Sequence, residues 1–241
     1  MKKLKVLFLL LLFSNAMHSQ VLLSLIFGDK LNSEGLEFGL EGGVNWANIS
    51  NLNNDGSVRN YNLGFYFDIT LKERLHLDTG VLVKSTLGAN NLSSEDLTFL
   101  EIPTESEPGS YKQELSYFIV PVLLKYSLKN RIYFEGGPQI GWMRKGFVEF
   151  NYDDGNEEIR IRHSNSDAIN KIDAGITLGT GYRLMKNDGM TIGVKYYFGM
   201  VDVYKNRTGT KNNSLFLKLN VPIGANAAKK KREEKENKMN E

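Results

Sequence analysis

The chain of 241 residues contains no cysteine. Disulfides, thiolate metal ligands, a cysteine nucleophile and a lipid-modified N-terminal cysteine are all excluded. With 5 prolines, 2 tryptophans and 3 histidines, a histidine-built metal centre or serine–histidine triad has few residues to draw on. No sign of charge dominates either. Thirty Lys and Arg against 28 Asp and Glu leave a formal +2, and no basic stripe in the body of the chain points to nucleic acid. Long apolar runs are also missing. The unbroken run "VLFLLLLF", residues 6–13, falls short of the roughly 20 residues of a membrane helix. Lys2, Lys3 and Lys5 precede it and the small polar cluster "SNAMHSQ" follows, so residues 1–19 read as a secretory signal peptide.

What the chain does have is alternation. "EFGLEGGVNWAN" puts Phe38, Leu40, Val44 and Trp46 on one face, with Glu37, Glu41 and Asn45 on the other. "NLGFYFDITL", "LHLDTGVLVKS", "YFIVPVLLKY", "RIYFEGGPQIGW", "KIDAGITLGTGYRL", "TIGVKYYFGM" and "SLFLKLNVPI" repeat the pattern. Period two over eight segments is the signature of strands, and each segment is long enough to cross a bilayer at a tilt. Their connections alternate in length: "KER", "LKN" and "MKNDG" are short, and the others are long and polar. The expected fold is all-β, an eight-stranded antiparallel up-and-down transmembrane β-barrel over residues 36–224. Residues 20–35 are expected as a periplasmic N-terminal segment, with residues 21–27 capping the mouth, and residues 225–241 as a charged periplasmic tail.

A soluble lipocalin-type barrel would carry the same strands with the faces exchanged. Glycine separates the two. Gly39, Gly43, Gly64, Gly80, Gly137, Gly141, Gly175, Gly179, Gly181, Gly193 and Gly199 lie on the polar face, against Gly42 and Gly136 on the apolar one. An eight-stranded lumen is only just wide enough for side chains, so the glycine-rich polar face reads as the enclosed one. Trp46, Trp142, Tyr126 and Tyr182 then fall on the lipid face as interfacial aromatics. "YFIVPVLLKY" turns Lys125 and Pro121 inward, and a bulge at Pro121 is the expected remedy for its missing N–H.

The lumen set by this parity carries Glu37, Glu41, Asp68, Asp78, Glu135 and Asp173 with Lys84, Lys125, Arg131, Lys171, Arg183, Lys195 and Lys218. Unpaired charge in so narrow a space is costly, so a structural ion-pair network across the lumen is expected. A filled lumen is no pore. Carboxylates in such a network need no catalytic role, and His76 has no triad partners at a suggestive spacing. The acids of "NYDDGNEEIRIR" (Asp153, Asp154, Glu157 and Glu158) do not match a calcium loop and read as the solvated turn of a hairpin above the membrane. No catalytic, metal or cofactor-binding residue is assigned.

"YFIVPVLLKY", with its tyrosine, proline and closing lysine–tyrosine, resembles a strand motif of the PorT-like outer-membrane β-barrel family. "FGLEGGVNWANIS" resembles that family's first strand and "YFEGGPQIGW" its fifth. The resemblance runs from Phe38 to Gly224. It departs at Ile119, where the family often carries an acid two places before the proline. The resemblance implies a Gram-negative outer membrane, and no particular activity. The expected role is that of a small closed barrel in interaction, assembly or envelope integrity. Outer-membrane lipid is its expected partner, alongside an unidentified periplasmic or cell-surface protein. The alternatives are an outer-membrane enzyme acting on lipid or peptide, and a soluble ligand-binding barrel.

Overall fold

The computed structural model describes residues 35–223 except 55, 154, 156 and 185–188. The signal peptide, residues 20–34, the C-terminal tail and Asp154 lie outside the described residues. Nine strands form one antiparallel sheet: β1 (Leu36–Ile49), β2 (Val58–Lys72), β3 (Leu75–Ala89), β4 (Ser110–Ser127), β5 (Ile132–Asp153), β6 (Glu158–Ser164), β7 (Ile172–Arg183), β8 (Thr191–Asp202) and β9 (Lys211–Pro222). Eight close into a ring in chain order, because β4 pairs with β5 and β1 pairs with β9. The ninth, β6, stands outside it. β5 is 22 residues long; its first half pairs with β7, and its last seven residues pair with β6. A three-stranded ribbon of β4, β5 and β6 thus rises above the ring. A short helix, α1 (Ser94–Phe99), lies in the connection between β3 and β4. No described helix is long and apolar enough to cross a membrane, which says nothing of strands.

The apolar face is outside. Val120, Val122, Leu124, Ile140, Ile176, Leu178, Val194 and Leu217 are exposed, while Glu41, Asp68, Asp78, Lys125, Glu135, Lys195 and Lys218 are buried. A soluble lipocalin-type barrel would show the reverse. The glycine face meets tyrosines: a Cβ on Gly39 would stand 2.4 Å from the Tyr66 ring, and one on Gly181 would stand 2.3 Å from the Tyr133 hydroxyl. Large rings lie down inside so small a barrel because the residue paired with each on the neighbouring strand, Gly39 for Tyr66 and Gly181 for Tyr133, has no side chain.

The strands depart from strict parity beside Pro121, though not at it. Burial alternates without interruption from Tyr111 to Tyr126. The β3–β4 register is the same on both sides of the proline, Thr79 opposite Val122 and Leu82 opposite Ile119. The Thr79 hydroxyl donates to the Pro121 carbonyl at 2.8 Å. The expected bulge at Pro121 is therefore corrected: the irregularities lie on the neighbouring strands. Leu82 and Ser85 both face inward with Val83 and Lys84 between them, and on β5 the same happens at Arg144 and Lys145, between Met143 and Gly146.

Candidate functional site

The short-turn half of the lumen holds a chain of charges. His76 Nδ1 lies 2.7 Å from Asp68 Oδ1. Lys125 Nζ bonds Asp68 at 2.7 Å and Asp78 at 3.2 Å. Lys218 Nζ stands 3.6 Å from Asp78 and 2.8 Å from Glu135. Lys195 Nζ reaches Glu41 at 2.8 Å. The ammonium groups also lean on aromatic faces, Lys125 at 4.8 Å from the Tyr133 centroid and Lys195 at 5.5 Å from Phe216, contacts that favour a cation once it is desolvated. Seven of the ring's eight strands contribute, so the network ties wall to wall. All its charges come from alternate strand positions, which is why parity alone brings them together.

Three of the thirteen residues expected there stand elsewhere. Lys84 is turned out of the lumen by the β3 bulge and donates to the Tyr61 hydroxyl from over that ring. Arg131 precedes β5 in a tight turn at φ 72; it is exposed, and its guanidinium lies 5.6 Å from the Tyr182 ring centroid. Lys171 precedes β7 and is exposed at the opposite rim. Of the other ten, Glu37 and Arg183 sit half-buried at the short-turn mouth. Glu37 accepts from the Tyr66 hydroxyl at 2.8 Å. Asp173, buried, accepts from Asn212 at 3.0 Å. The hydrogen-bond donors to those two carboxylates are neutral. Trp142, Tyr126 and Tyr182 are exposed on the outer wall, Trp142 by 61%. Trp46 is half-buried, with Arg59 over its ring at 5.9 Å. His76 is joined by His163 of β6 as a strand histidine; the latter lies 3.6 Å from Glu105.

The long-loop half of the lumen is apolar and lidded, which the sequence reading missed. Leu92, Leu97, Leu100 and Ile102 of the β3–β4 connection pack with Leu115, Tyr117 and Ile119 of β4, Val148 and Phe150 of β5, and Val203 and Tyr204 beyond β8. Gln113 and Asn165 exchange amide hydrogen bonds at 3.1 and 2.6 Å, and the Tyr204 hydroxyl donates to Gln113 at 3.0 Å. The lid is latched at Asp96, which is fully buried. Its carboxylate accepts from the Ser93 N–H and hydroxyl, closing a capping box, from the Asn53 N–H at 3.3 Å and from Arg207 at 3.1 Å. One side chain thereby joins three loops. A sequence signal existed in Ser-x-x-Asp at Ser93–Asp96, the capping-box spacing.

On the outer face of the ribbon, Glu149 is paired on both sides, with Lys112 of β4 at 2.9 Å and with Arg162 of β6 at 2.6 Å. Burial alone would push this carboxyl up, but the two hydrogen-bonded cations outweigh it and hold it below its ordinary value. Among the described residues, no cluster of three or more His, Cys, Asp or Glu is arranged to hold a metal.

A family model described as outer membrane protein beta-barrel domain matches residues 24–205. Among solved structures the chain is similar to Ail, the attachment invasion locus protein of Yersinia pestis, at 10% identity over 77% of this chain and 97% of that one, TM-score 0.39. It is similar to Neisserial surface protein A at 10% identity over 78% and 96%, TM-score 0.38. A third is OprG from Pseudomonas aeruginosa, at 10% identity over 78% and 93%, TM-score 0.35. No protein of curated function matches the chain.

Proposed function

Given that the chain belongs to the outer membrane protein beta-barrel domain family and resides in the outer membrane, we propose that it is a non-enzymatic barrel, closed to diffusion, that serves interaction, assembly or envelope integrity. Its working surfaces are the loops and ribbon outside and the rim toward the periplasm. The observation that carries this reading is the double filling of the lumen. The Glu135–Lys218–Asp78–Lys125–Asp68 chain crosses one half, and the plug under α1 fills the other. Asp68, Asp78, Glu135 and Glu41 are engaged by lysines inside the closed lumen rather than presented in an open cleft as a general acid or base would be. The likeness of "YFIVPVLLKY" to PorT-like barrels supports the same kind of role, and residues 1–19 are proposed to direct export. Planar-bilayer recording tests closure. Purified full-length protein gives no stable unitary conductance; reproducible single-channel openings would overturn the proposal.

A further inference from the structure

The two bulges that flank β4 lie at one level of the barrel. Ser85 pairs with Tyr117, Tyr117 pairs with Met143, and the Met143 N–H donates to the Lys171 carbonyl at 2.8 Å. Lys84 adjoins the first of these residues, and Arg144 and Lys145 adjoin the third. Each bulge turns a basic residue out of the lumen, where two-residue parity would have placed Lys84 and Lys145, and onto the outer wall. Lys84, Arg144, Lys145 and Lys171 are all exposed, and none forms an ion pair with a described carboxylate. Higher on the same wall the pattern differs, since Lys112 and Arg162 share Glu149. The collar also stands on aromatics: Lys84 lies 4.0 Å from the Tyr61 ring and Arg144 4.5 Å from Phe118.

Its height fits a membrane surface. From Ile132 at the short-turn rim to Trp142 on the same strand, about ten residues at about 3.3 Å each, tilted about 40°, rise about 25 Å, the height of the apolar band of such barrels. Lys145 follows Trp142 within three positions, so the collar begins where acyl chains end. Cations unpaired within the protein at that depth meet the anionic layer of the outer leaflet, and a guanidinium offers phosphate two parallel donors. Bulges re-aim side chains and are placed features of a sheet; two of them at one level, each delivering a base outward, point to one ligand layer.

We propose that Lys84, Arg144, Lys145 and Lys171 form a collar that binds the phosphate groups of outer-leaflet lipid headgroups. The proposal is independent of whether the lumen conducts. It is tested by native mass spectrometry of the full-length protein in detergent, titrated in separate arms with a phosphorylated saccharolipid, with phosphatidylcholine and with inorganic phosphate. Wild type retains the phosphorylated saccharolipid in preference to phosphatidylcholine. With each surface cation contributing about fivefold, the combined Lys84→Gln, Arg144→Gln and Lys145→Gln variant retains it about a hundredfold more weakly. Lys72→Gln with Lys129→Gln, at the opposite rim, retains it as wild type does. Heat-modifiable migration of each variant verifies the folded barrel, and if the triple variant fails to fold, the Lys145→Gln variant carries the same comparison at about fivefold. Equal retention by the collar variant and wild type would overturn the proposal. So would displacement of the lipid by inorganic phosphate at matched phosphate concentration, which would reduce the collar to a general anion site.

Discussion

Lys125 and Lys84 belong to neighbouring strands, with the barrel wall between their charges. Lys125 is buried between Asp68 and Asp78. Removing its charge leaves buried Asp68 with His76 alone and buried Asp78 with only the longer contact to Lys218, and breaking a buried pair by deleting one partner costs about 3–5 kcal/mol. Lys125→Met should therefore lower the unfolding free energy by that order in urea titration from lipid vesicles. Lys84→Met should change it by less than about 1 kcal/mol, as expected of an exposed cation. Equal effects for the two would show the lumen lysines to be hydrated and the network to contribute little. Parity placed Lys125 correctly from sequence, because its strand alternates without a fault through Pro121. It misplaced Lys84, because a bulge inverts the facing beyond it and Val83–Lys84 carries no glycine or proline to mark one.

At the scale of elements, α1 depends on one carboxylate. Asp96→Ala removes the return half of the capping box together with the acceptor for Asn53 and Arg207. A lost cap with unsatisfied partners costs about 1–3 kcal/mol. The expected result is faster proteolysis and amide exchange across residues 90–109, with the barrel's heat-modifiable migration retained; unchanged protection would mean the lid is held by its leucines alone. The helix escaped the sequence reading because six residues are too few to show a 3.6-residue period, and only the cap spacing remained as a signal. The ribbon responds to acid. Glu149 has a folded value held below the ordinary 4.5 by Lys112 and Arg162, so its contribution is present above that value and is lost as pH falls through the folded one. Amide protection in β6 should drop as pH falls below the ordinary 4.5 and through the folded value, while that of β2 persists. Glu149→Gln should abolish this difference. The ribbon itself was legible as a hairpin in "NYDDGNEEIRIR"; its ion pairs were not, since they join residues 37 and 13 positions apart and the register that brings Lys112 opposite Glu149 depends on the Arg144 bulge.

For the whole molecule, the proposed closure is a redundant one, and the redundancy follows from how the two halves of the lumen are filled. The outer half is filled by leucines, aromatics and a lid that arrives from loops; the half nearer the periplasm is filled by charges that the strands themselves carry. The second could be read from sequence because strand parity specifies it. The first could not, because loop residues have no period and their inward packing is decided only when three connections meet over the mouth. The two fillings have different vulnerabilities. Replacing residues 93–102 with a short glycine–serine linker removes α1, the Asp96 latch and the side chains of Leu97, Leu100 and Ile102, and opens the plug to water. The ions beneath are held by strand positions the replacement does not touch, with Lys218 bridging Asp78 and Glu135 across the axis. The barrel so altered should still migrate in its heat-modifiable form and still give no unitary conductance in planar bilayers. Adding Lys218→Ala and Glu135→Ala to the same protein removes the central cross-tie and should produce openings. If the loop replacement alone conducts, water passes the charged half freely and the lid is the single closure of this barrel.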